Sequence, residues 1–229
     1  MISLFLWVIY PYLALCIMVV GLLFRYNYGQ LHWGAPSTEL LEKKTLRVGS
    51  LLFHWGIIFA FIGHVMGILI PRSVYDYFGV TEALYHFNAI LFGGIVGVIT
   101  WVGLLVLIFR KIYFKRVRKK AGLSDFATLV SLLIIVTLGT SMTIGYNVMV
   151  EPYEYRNTIG PWFRGILTFR PNPLLMVGVP LLFQIHVILS FALFALIPFT
   201  KLVHFWTLPA RYPARAPLQY RSRVNYRKE

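Results

Sequence analysis

Residues 48–71 read VGSLLFHWGIIFAFIGHVMGILIP, a stretch with no fixed charge. A helix crosses the hydrocarbon layer of a bilayer with roughly 20 largely apolar residues, so this segment is long enough to span. Two histidines interrupt it, His54 and His64. An ionisable side chain inside a bilayer is costly, and each one therefore marks a functional position. The segment sets the fold as a membrane bundle and makes the histidines the question.

Four more stretches read the same way: about Ile2–Phe24, Ala83–Phe109, Phe126–Tyr146 and Val177–Thr200. The chain is 58% hydrophobic and 13% charged, against about 25% charged in soluble domains. The expected fold is all-α, a polytopic membrane protein with five transmembrane helices. One five-helix domain covers residues 1–208, and a basic tail covers 209–229. The first stretch lacks a basic leader and a small-residue cleavage site at Leu22–Tyr28, so it reads as a retained helix rather than a signal peptide. Cys16, inside it, is the single cysteine. The chain forms no internal disulfide and holds no cysteine-ligated iron–sulfur cluster alone.

The net charge of +14 suggests nucleic acid until its placement is read. Of the 22 basic residues, 18 fall on one side of the predicted bundle: Arg25 to Arg47, the run from Arg110 to Lys120, and Lys201 onward. The other side has Arg72, Arg156, Arg164 and Arg170. The positive-inside rule then puts the N-terminus outside and the C-terminus in the cytoplasm, and the basic excess is an orientation signal with anionic-lipid contact. Ser37-Thr38 suggests the start of a short helix. Residues 147–176, with Pro152, Pro161, Pro171 and Pro173, look irregular.

The fifth helix carries His186 and leads to His204. It runs antiparallel to the second, so topology pairs His64 with His186 near the outer face and His54 with His204 near the inner one. Ten helical residues rise roughly 15 Å and eighteen roughly 27 Å. Tilted macrocycles, slanted imidazoles and a kink at Pro198 must absorb that difference. Two imidazole pairs between helices suit two haems, non-covalent because no Cys-x-x-Cys-His is present. Zinc or copper gathers ligands into a tighter cluster. Gly56, Gly63 and Gly67 leave room for a macrocycle. Ser50 and Thr200 are the expected acceptors for the second nitrogens of His54 and His204, with backbone carbonyls serving the other two. His32 reads as a surface residue. His86, at the outer end of the third helix, lies at the depth of the outer pair.

Arg25-Tyr26-Asn27-Tyr28-Gly29-Gln30, Ser37-Thr38-Glu39-Leu40-Leu41, Leu52-Phe53-His54-Trp55-Gly56, Gly63-His64-Val65-Met66-Gly67 and the run from Pro198 to Trp206 together resemble the gamma subunit of respiratory nitrate reductase. That resemblance implies a diheme cytochrome b in a prokaryotic cell membrane, with haem b axial ligands His54 and His204 (inner) and His64 and His186 (outer). Its implied partners are a cytoplasmic iron–sulfur beta subunit and a molybdenum alpha subunit, and its substrate is quinol. Lys201 matches a basic position that pairs a haem propionate. Some relatives carry a lysine where this chain has Tyr85-His86, so His86, Tyr85 and Gly63 are the candidate quinol-site residues. His86 is suited to accept the quinol proton, since imidazole titrates near neutrality. Two rival readings remain: a cytochrome b anchor for another quinone-linked complex, and a haem-free transporter with a histidine proton relay.

Overall fold

The computed structural model describes residues 1–29, 38–150 and 152–207. His32, Ser37 and the tail fall outside the described residues. Among those described, every regular element is helical. Five helices are long and apolar enough to cross a membrane: Ile2–Tyr28, Lys44–Leu69, Glu82–Tyr113, Leu123–Met149 and Leu181–Phe199. Their outward faces carry large exposed apolar side chains, among them Val20, Phe59, Phe92, Ile134 and Ile185. A helix can present such a surface to lipid because its backbone polar groups are satisfied internally.

Four spans begin earlier or end later than hydropathy alone indicates, whereas the fifth, Leu181–Phe199, falls inside its expected range; caps explain two of the early starts. The Glu42 carboxylate accepts from Thr45 N at 2.8 Å and Leu46 N at 3.2 Å, which starts the second span at Lys44. Thr81 Oγ1 accepts from Leu84 N at 3.3 Å and starts the third at Glu82. The third span then continues past Phe109 because Arg110, only 4% exposed, is fully partnered. Its guanidinium donates to the Glu42 carboxylate at 2.7 Å, to Thr38 Oγ1 at 2.9 Å, and to the carbonyls of Thr38 and Glu42. A buried charge is tolerated only when partnered in this way.

Spans two and three touch backbone to backbone. A Cβ at Gly103 would lie 2.5 Å from Phe53 N, and one at Gly56 would run into Thr100. Small residues allow such close approach between membrane helices. Gly56 and Gly67 therefore serve packing, the latter against Tyr155 and Tyr85; at Gly63 a Cβ would meet nothing within 4 Å.

The stretch expected to be irregular contains a helix, Ile159–Leu167. Its buried residues Ile159, Trp162 and Ile166 follow the three-and-four spacing of one helical face. Trp162 is fully enclosed and donates from Nε1 to the Trp7 carbonyl at 2.8 Å. It meets the Trp7 ring edge-on at 5.8 Å and Phe191 at 6.0 Å, so this connector is wedged between spans one and five.

The fifth span breaks where Pro198 stands. Its α-helix ends at Leu196, residues Ile197–Phe199 form a 3-10 turn, Thr200 is extended, and Lys201–Thr207 forms a second 3-10 segment. Arg25 of the first span closes the break, donating to the carbonyls of Pro198 at 2.5 Å and Thr200 at 3.4 Å.

Candidate functional site

Two imidazole pairs face each other across spans two and five. The His54 and His204 ring centres are 6.1 Å apart, and those of His64 and His186 are 6.3 Å apart. A metal at about 2 Å from each of two imidazole nitrogens, on opposite sides, puts ring centres roughly 6–6.5 Å apart. Both pairs have that separation. Among the described residues no three or more His, Cys, Asp or Glu side chains gather as a metal-ion cluster. The histidines stand in twos, as axial ligation of a planar macrocycle requires.

The second ring nitrogens are tied down. His54 Nδ1 lies 2.8 Å from the Ser50 carbonyl and 3.1 Å from Ser50 Oγ, and His64 Nδ1 lies 2.7 Å from the Ala60 carbonyl. His204 Nδ1 is held by the Lys201 carbonyl. An Nδ1–H donated to a fixed acceptor sets the tautomer and leaves Nε2 as the ligating nitrogen. His186 is the exception: its buried Nδ1 makes no hydrogen bond, although the Ile135 carbonyl faces it. Gly139 leaves space for this ring, since a Cβ there would lie 3.2 Å from His186 Cε1. The donor chemistry, spacing and tautomers fit two bis-histidine haems.

A second cluster lies just beyond His64, where the helix passes into a π-turn, Val65–Leu69. Glu154 accepts from Arg156 through both carboxylate oxygens, each at 2.7 Å, and its Oε2 lies 3.1 Å from His86 Nε2. The Arg156 guanidinium lies 3.7 Å over the Tyr85 ring, and Tyr85 shares a 2.9 Å hydroxyl contact with Tyr155. Tyr75 donates to the Met66 carbonyl at 2.8 Å. Burial pushes the Glu154 carboxyl up, but the Arg156 guanidinium and His86 outweigh it and leave it below the ordinary range. Burial raises the Tyr155 and Tyr75 phenols.

The family model for the nitrate reductase gamma subunit matches residues 3–223. The chain belongs to that family. It is 45% identical to the nitrate reductase gamma chain of Bacillus subtilis over 95% of this chain and 97% of that one. It is 36% identical to the respiratory nitrate reductase 2 gamma chain of Escherichia coli, covering 96% and 97%. The nitrate reductase-like protein NarX of Mycobacterium tuberculosis is 37% identical over 95% of this chain and 33% of its own length.

In this gamma-subunit family member the helix break accounts for the mismatch in rise. His204 is carried on the second 3-10 segment rather than on the helix of His186, so the 18-residue interval is no straight rod. Thr200 is not the acceptor for His204; its Oγ1 instead accepts from Leu202 N at 3.3 Å. Lys201 is paired with Asp125 at 2.8 Å, and Asp125 also holds Lys111 at 3.3 Å. A cavity of about 540 Å³ opens beside His54, lined by Lys43, Arg47, Ser50 and Trp55 among others. Lys43, Arg47, Ser50 and His54 recur at three-and-four spacing on one helical face. Sequence reasoning named His86 and Tyr85, which here meet Glu154 and Tyr155, but missed Glu154, Tyr155 and Arg156. The available signal was Glu154-Tyr155-Arg156 itself, two opposite charges around an aromatic in the connector.

Proposed function

We propose that this chain is the membrane cytochrome b subunit of a nitrate reductase complex, with His54 and His204 holding an inner haem b and His64 and His186 an outer one. The observation that carries the reading is the equal separation of the two histidine pairs, 6.1 and 6.3 Å, at the value a six-coordinate iron needs. When bound, the two haems would supply a one-electron relay from quinol, oxidised at the outer face, to an iron–sulfur beta subunit and a molybdenum alpha subunit in the cytoplasm. The biased basic charge supports an N-terminus outside and a cytoplasmic C-terminus in a prokaryotic plasma membrane.

The chain's own residues do the positioning. The carbonyls of Ser50, Ala60 and Lys201 orient three imidazoles through Nδ1, which disfavours a proton relay, because a ring pinned in one tautomer does not pass protons along. On the inner side, Arg47 stands on the His54 cavity and would meet a propionate, as would Lys43, which is shared with Glu39 at 3.4 Å on the same cavity. Lys201 would do so only while shared with Asp125. On the outer side His86 would take the quinol proton, with Tyr85 and the open side of Gly63 bounding the substrate.

The test is a pyridine haemochrome assay on purified chain with a reduced-minus-oxidised spectrum. Two acid-extractable b haems per polypeptide, reducible by quinol, are expected. One haem or none overturns the reading.

A further inference from the structure

The histidine of the Glu154 cluster is arranged in the reverse sense to His54 and His64. In His54 and His64 it is Nδ1 that is bound, which leaves Nε2 available. In His86 it is Nε2 that is bound, to Glu154 at 3.1 Å, and Nδ1 makes no hydrogen bond among the described residues. With Nε2–H donating to the carboxylate, Nδ1 keeps its lone pair as a base.

We propose that His86 and Glu154 form the proton-accepting pair of the quinol site, His86 Nδ1 touching the substrate hydroxyl and Glu154 acting as its positioning residue. The proposal rests on the quinol-oxidation reading above. In the step itself the quinol O–H bond breaks, an N–H bond forms at Nδ1, and a quinolate and an imidazolium result; no electron moves. Glu154 balances the new positive charge. Without it, the imidazolium would stand beside the Arg156 guanidinium, which is buried at 2% exposure and, among the described residues, is paired with the same carboxylate. The other groups near the pair are Glu82 and Tyr85 on the helix of His86, Arg72, Tyr75 and Asp76 on the short helix Arg72–Tyr77, and Tyr155. Of these, Glu82 and Asp76 are both paired with Arg72. His86 and Glu154 retain 17% and 22% side-chain exposure, enough to return the proton to water.

The experiment uses the assembled complex in membrane vesicles and follows quinol oxidation across pH, with haem content read from the spectrum of each sample. Glu154→Gln keeps the shape of the side chain and removes its charge. The acid limb of the profile should move to lower pH, because Glu154→Gln takes away the negative charge 3.1 Å from the base. The plateau should fall several-fold with both haems retained. Glu154→Asp, which restores the charge, should return the limb toward its original position.

A Glu154→Gln profile that coincides with the unsubstituted one, or an unsubstituted profile with no acid limb, overturns the proposal. Failure of both variants to assemble overturns it as well, since the carboxylate would then be structural. If the unsubstituted complex does not oxidise quinol at all, the functional reading fails instead, and the two failures are distinct.

Discussion

Replacing His64 by alanine removes one of two rings whose centres stand 6.3 Å apart. The side chain is exposed, and its Nδ1 bonds only to its own helix, at the Ala60 carbonyl. Its loss should cost the fold within about 0.5 kcal/mol, as at other exposed positions without a special role. Under the proposed haem ligation the cost to cofactor binding is large by comparison, because the outer site would keep one of its two imidazoles. Haem per polypeptide should fall from about two to about one, with the outer-site band missing from the low-temperature difference spectrum. His186→Ala should remove the same band. The double variant is the sharpest measurement: both substitutions act on one site, so it should lose no more haem than either alone, whereas independent sites would lose their contributions additively. Ser50→Ala serves as a control on the other pair, since the Ser50 carbonyl at 2.8 Å still orients His54 once Oγ is gone. Different bands missing in His64→Ala and His186→Ala, or a double variant with no haem, would refute the pairing.

Trp162→Ala should destabilise the detergent-solubilised chain by about 3–5 kcal/mol, the cost of emptying a fully buried aromatic site, seen as a lower thermal midpoint. Glu42 is pushed up by burial, but Thr45 N, Leu46 N and Arg110 more than offset this and hold its carboxyl below the ordinary value of 4.5. A depressed carboxyl contributes stability that is complete above its unfolded value and lost as pH falls through the folded one. Thermal stability should therefore drop as pH falls below 4.5, and Glu42→Gln should flatten that dependence. Truncation after Pro209 should leave both haems bound but lower the yield of co-purified soluble subunits; full yield would show the basic tail to be dispensable. His86→Phe should retain both haems and slow quinol oxidation across pH 5.5–8; unchanged turnover would return His86 to an interfacial role.

The spanning helices were legible because lipid imposes one requirement over 20 or so consecutive residues, and hydropathy reports it directly. The histidine pairing was legible for a related reason: antiparallel neighbours leave only one matching of depths. What composition could not report was set by contacts distant in sequence. The third span outruns its apolar stretch because Thr38 and Glu42 satisfy Arg110. Residues 159–167 form a helix despite Pro161 because Trp162 finds the Trp7 carbonyl 155 positions away. Glu154 was not singled out in the sequence, because only the fold brings His86 against it. The local consequences of Pro198 were foreseen as a kink, and the chain instead changes helix type and passes through extended Thr200.

Three of the four paired histidines are built into long helices, whereas His204 hangs on a seven-residue 3-10 segment. Short 3-10 turns hold themselves weakly. This one is moored by Arg25 from the first span and by the Lys201–Asp125 contact from the fourth. The coordination chemistry of the two sites is alike, but their mechanical footing is not. Local opening begins where few backbone bonds must be broken, so, with haems held as proposed, a chain under stress should let go of the His54-side group first, while the His64 side stays clasped between two intact rods. Loading during biogenesis would run in the opposite order, with the His204 strap fastening last.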